Sequence, residues 1–201
     1  MKRCGLFAVL FLLLAMLSAC VRTPTMDLSG FLLQRKRNHQ PLDFAQVYRL
    51  QGETETEYYI PVSDRVSLRL FCLATGELYE CRVLLQKLDR SGQPLPLTDD
   101  VHRAFLAECR AVMLAFCSFS NEDAEQQLRA LSLYEDDVHH KTGMLTGSFG
   151  HFTLQLQSHP LETVFSIRHQ WLKETDTTVI PESHPLFDET TATRTETVPH
   201  R

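Results

Sequence analysis

The chain has 201 residues, with 25 acidic against 20 basic side chains and a formal net charge of −5. That length suits one domain with a single modest core. The acidic balance, with Lys and Arg spread along the chain, excludes a nucleic-acid surface and polybasic attraction to anionic lipid.

The first twenty residues carry the strongest signal. Met1-Lys2-Arg3 precedes an apolar run from Leu6 to Leu17, followed by Ser18-Ala19-Cys20. A positive start, an apolar stretch of about twelve residues and small residues before a cut point make a secretory signal; a spanning helix needs about 20 apolar residues. Leu17-Ser18-Ala19-Cys20 resembles the lipobox of bacterial lipoproteins. The resemblance implies cleavage between Ala19 and Cys20 and a diacylglyceryl group on the Cys20 thiol, with palmitate-type acyl chains holding the protein at a cell membrane. One acyl chain binds only reversibly, so stable anchoring takes two or more. Residue +2 is Val21 rather than Asp, which favours the periplasmic leaflet of the outer membrane if the cell has two membranes.

Residues 20–41 show little periodicity and are expected as a lipidated tether. It carries a small apolar docking segment at Phe31-Leu32-Leu33 and a basic triplet, Arg35-Lys36-Arg37, that either touches lipid headgroups or is solvated. A single α+β domain is expected over residues 42–173. Strand patterns run from about Phe44 to Leu50 and from Glu57 to Pro61, with a polar break at Gln51-Gly52-Glu53-Thr54. Val66, Leu68, Leu70 and Cys72 form one face of the next strand, and Tyr79, Cys81, Val83 and Leu85 one face of its partner. The two sets share a face only when paired residue numbers sum to an odd value, which allows Cys72 opposite Tyr79 or opposite Cys81. Phe71 and Leu73 fall on the other face, as an apolar patch for a partner or as surface covered by the first strands.

From Leu97 the period changes to 3.6. Thr98 or Asp99 caps a helix whose inner stripe is Val101, Phe105, Leu106, Cys109, Val112, Met113 and Phe116. A second helix begins after Ser120 or Asn121 and runs to about Leu133. After a polar loop with Asp136-Asp137 and His139-His140, a hairpin is expected from about Phe149 to Gln157 and from Glu162 to Leu172. The fold class is α+β: an antiparallel sheet of about four to six strands with two helices packed on one face. Residues 174–201, rich in Thr and acidic side chains with three prolines, are expected as a disordered tail.

Four cysteines remain after Cys20. Cys72, Cys81, Cys109 and Cys117 are an even set in an exported chain, which points to disulfides with three connectivities open. No metal site is expected: strand parity sends His151 and His169 to opposite faces, and no His-Glu-x-x-His or Cys-x-x-Cys is present. A surface metal cluster using His139 and His140 is the minor alternative. No catalytic motif stands out, since Gly147-Ser148-Phe149-Gly150-His151 lacks the Gly-x-Ser-x-Gly spacing and no loop cradles phosphate. The sequence therefore points to a lipid-anchored envelope protein that acts by binding a protein partner, without cofactor and not as an enzyme. The alternative is an envelope enzyme or small-ligand binder whose site is assembled from dispersed residues.

Overall fold

The computed structural model describes residues 25–43, 46–135, 138–140, 142–170 and 172. They form an open antiparallel sheet of eight strands and three helices, an α+β arrangement. The strands are β1 (Met26–Asp27), β2 (Tyr48–Gln51), β3 (Glu55–Pro61), β4 (Val66–Leu73), β5 (Glu77–Gln86), β6 (Gly143–Phe149), β7 (Phe152–Ser158) and β8 (Glu162–His169). The helices are α1 (Leu28–Arg37), α2 (Asp99–Phe116) and α3 (Asn121–Ala130). The strand order β2-β3-β4-β5-β8-β7-β6 consists of two meanders joined through α2 and α3.

The central pair follows parity. Leu68 lies opposite Val83 and Leu70 opposite Cys81, so both inner sets face the helices. A bulge at Phe71/Cys72 then puts Leu78, not Tyr79, opposite Cys72. Tyr79 is thereby turned to the other face, where its hydroxyl donates to Glu55. The three-residue turn from Ala74 to Gly76 needs Gly76 at φ +89, a conformation that side chains rarely adopt.

Each helix begins at a side-chain cap. Asp27 accepts from the Gly30 amide at 2.7 Å, Thr98 caps α2, and Ser120 forms a reciprocal capping box with Asp123. All three end on a non-glycine residue with positive φ, namely His39, Ser118 and Ser132. For α1 and α3 the amides just beyond reach back to Arg35 and Lys36, and to Leu128 and Arg129, as in a Schellman motif. On the inner face Phe105, Cys109, Val112 and Met113 of α2 are fully buried against Leu68, Cys81, Val83 and Phe165.

Several expectations change. The sheet has eight strands rather than four to six, and three helices rather than two. Residues 26–37, expected within the tether, form β1 and α1: β1 pairs with β5 and α1 packs on α2. Phe31 does dock, with no exposed surface, and the basic triplet is split: Arg35 is buried, while Lys36 and Arg37 are exposed. The expected strand from Phe149 is interrupted at once. Gly150, at φ +57, and His151 form a two-residue turn, and the residues before it are the edge strand β6. Phe44, Trp171 and the Thr-rich tail lie outside the described residues.

Among the described residues no helix covers the second face of the sheet. It is a lattice of opposite charges: Glu80 binds Arg82 at 2.6 Å and Arg168 at 2.8 Å, and Arg69 faces Glu57 at 3.5 Å. The expected patch at Phe71 does not form, because the Arg82 guanidinium lies 4.5 Å over its ring and Phe71 is buried.

Candidate functional site

Two groups of polar side chains sit at opposite ends of the inner layer. At one end, β5 finishes beside the start of β8, and a network centres on Lys87 and His139. Lys87 Nζ donates to the carbonyls of His139 and His159 and to Ser158 Oγ, the last at 2.8 Å. The His139 ring joins His102 through a 2.7 Å nitrogen pair and Thr163 Oγ1 at 3.1 Å. Burial first, then the nearby His102, Lys87 and His140, push His139 down to about 4, so it is neutral at physiological pH. His139 is therefore buried rather than part of a surface pair with His140. All three Lys87 donors are occupied, which makes the lysine a strut between two loops and leaves no free base beside Ser158.

At the other end lies an open cleft of about 980 Å³. The N-terminal turn of α1, the β4–β5 turn, the end of α2 and the β6–β7 turn form its walls. Several of its polar groups are already engaged: Asp27 caps α1, and Glu77 accepts from Thr25 at 2.8 Å and Thr75 at 3.1 Å. Arg49, from edge strand β2, stands 5.9 Å over the Tyr58 ring. His151 and His169 stack at 6.3 Å with an interplanar angle of 20°. Parity had separated these two rings. The correction comes from the turn, since His151 lies outside the strand ladder and alternation does not apply to it. Burial and then the neighbouring His151 lower the His169 pKa. No group of three or more metal-type side chains occurs among the described residues.

The four later cysteines are present as thiols, Cys72, Cys81 and Cys109 buried and Cys117 half-buried. Cys72 and Cys117 line the cleft. Burial, followed by the Asp27 charge, pushes the Cys72 thiol up to about 11, the opposite of what an activated nucleophile requires. The Gly147-Ser148 string lies on β6, with Ser148 exposed and away from the cleft walls. Asp99 and Asp100 occupy the first turn of α2, as their position after Thr98 implies. Asp136, Asp137, Ala19 and Cys20 lie outside the described residues.

Sequence reasoning missed Lys87, His102, Ser158 and Thr163, because their partners lie 19 to 72 residues away and no local pattern marks them. It also missed the cleft, whose walls come from elements far apart in the chain. Comparison with protein-family models, curated proteins and solved structures finds no match.

Proposed function

We propose that this protein is a lipid-anchored bacterial envelope protein that acts by binding, with the cleft as its binding surface. The observation that carries the reading is the position of the cleft relative to the lipobox. Its wall begins at Thr25 and Met26, and only Val21 to Thr25 separate Met26 from Cys20. Even fully extended, that segment reaches only about 20 Å, so acylation at Cys20 would hold the cleft close to the bilayer. A partner in or on the same membrane would meet it there.

Binding rather than catalysis is supported by the chemistry of the walls. The thiol at Cys72 is raised rather than activated, Asp27 is committed to its helix cap, and Glu77 is committed to two threonines. No helix of the described residues is long and apolar enough to cross a membrane, so attachment in this reading rests on the lipid. A second reading, a small-ligand binder, is favoured by the cleft volume, which falls at the upper end of the range that encloses drug-sized molecules.

Cys20→Ala tests the anchor. The parent protein should incorporate labelled palmitate and sediment with membranes, whereas the variant should do neither. Membrane association of a cleaved, unlabelled Cys20→Ala protein would defeat the reading.

A further inference from the structure

We propose that Thr177-Thr178-Val179-Ile180, which lie in sequence beyond the described residues, add to the free edge of β6 as a further strand and make β6 an internal strand of the sheet. The open edge is thus a docking surface for the chain's own continuation, separate from the cleft.

Strand β6 pairs with β7 without interruption, from Gly143 opposite Ser158 to Phe149 opposite Phe152, and has no neighbour on its other side among the described residues. Its seven residues include no charge and no proline, and its ladder has no bulge, so it lacks the devices that keep an open edge from pairing. The other edge strand, β2, is shorter and carries Arg49. The Gln170 amide bonds to the His151 carbonyl, and alternation from that pair turns Thr153, Gln155 and Gln157 toward β8 and Phe152, Leu154 and Leu156 toward β6. The backbone groups of Met144, Thr146 and Ser148 therefore point away from β7, into the open edge. Leu145, on the helix side opposite Leu156, is 44% exposed, and Met144, on the other face, is 59% exposed. Apolar surface flanks the free backbone groups on both faces.

The topology brings the chain to this edge. Strands β6, β7 and β8 form a meander, and β8 ends where β6 ends, since His169 lies opposite Phe152 and Phe152 opposite Phe149. A strand that starts from that end and follows β6 is antiparallel to it, and the order of new strand, β6, β7 and β8 is that of a Greek key. Three strand spacings, about 14 Å, separate β8 from the new position. Residues 171–176 reach about 20 Å when extended, enough to pass both intervening strands. Thr177 to Ile180 are consecutive β-branched residues, which suit a pleated surface, and alternation gives one aliphatic side chain to each face. Asp176, Pro181 and Glu182 bracket the segment, so the new edge carries the charges and the proline that β6 lacks.

Two measurements on the full chain test the pairing. A photo-reactive residue replaces Thr146, which is exposed at the middle of β6, and is activated in an equal mixture of isotope-labelled and unlabelled protein. Digestion and mass spectrometry should find β6 joined to residues 173–183, with both peptides carrying the same label. A mixed-label product would put a second copy on the edge, and an adduct to another envelope protein in intact cells would put a partner there. Either result, or no link to residues 173–183, overturns the proposal. The second measurement compares amide exchange in the parent and in the double variant Thr178→Pro, Val179→Pro. Adjacent N–H groups of a strand point to opposite sides, so one of the two prolines always removes a bond to β6. Exchange at Met144, Thr146 and Ser148 should quicken about tenfold or more, while Leu145 and Gly147, whose amides face β7, stay as they were and report an intact fold. Equal rates at the three outward amides in parent and variant would also overturn it.

Discussion

Arg35 and Glu108 lie 73 residues apart in sequence and meet as a bidentate ion pair, at 2.9 and 3.0 Å, with side chains only 3% and 5% exposed. Arg35 Nε also donates to the Gln40 carbonyl at 2.9 Å. This pair fastens α1 to α2. Removing one partner strands a buried charge, so Glu108→Ala should lose about 3–5 kcal/mol. Arg35→Met combined with Glu108→Leu should recover most of that loss, as chemical denaturation of the two single variants and the double variant will show. A Glu108→Ala protein as stable as the parent would mean that α1 is not held by this bond.

Acid should weaken the fold at the opposite end of the inner layer. His139 is lowered to about 4 in the folded chain, while the unfolded chain takes up a proton near pH 6.5. As pH falls through that window the unfolded state binds more protons, so stability drops by at most about 1.4 kcal/mol per pH unit. Unfolding midpoints at pH 7, 6 and 5 should fall steadily. In His139→Gln the slope over this range should flatten, although that variant starts lower because it loses the His102 and Thr163 partners.

The helix ends offer gains in stability. His39, Ser118 and Ser132 each hold a side chain in the left-handed region. Ser132→Gly relieves that strain where the two backward hydrogen bonds of α3 remain intact, and should add about 0.5–1 kcal/mol. Gly76→Ala is the converse. Its added Cβ would meet nothing within 4 Å, so a loss of about 1 kcal/mol would come from backbone strain alone. Thermal melts of the two variants should move in opposite directions.

Occupancy of the cleft can be read directly. A photo-crosslinking residue at Leu33, which is 49% exposed and lines the cleft, should give a discrete adduct in intact cells. The same probe at Leu161, exposed in the β7–β8 turn at the other end of the sheet, should not. Equal labelling at both positions would count against the cleft as the binding surface.

Local signals carried much of the fold. The alternation of Val66 to Cys72 and of Cys81 to Leu85 specified the central register, and Thr98 and Ser120 marked where α2 and α3 begin. What escaped the sequence depended on distant partners or on single-residue irregularities. Helix α1 looks like a basic tether because its stabilising partner, Glu108, is remote, and because it stops at His39 instead of a glycine. Strand β6 holds two glycines and packs by only one edge, which obscures its alternation. Tyr79 was assigned to the helix-facing side, and one bulge turns it to the other face, where it is still buried; His151 was sent to the wrong side by one turn. The cleft needed all of these corrections, since α1, the bulged hairpin and the His151 turn all contribute walls to it.

The two-residue strand β1 gives this domain a particular mechanical path. It joins β5 through only Met26–Leu78 and Asp27–Glu77, in the ladder position beyond the end of β8. Tension on the chain ahead of Thr25 would therefore load a central strand directly, with Arg35–Glu108 as the next restraint in series. Under a pull from that side, β1 would peel away first and open the cleft wall it helps to build, while the two meanders stayed paired.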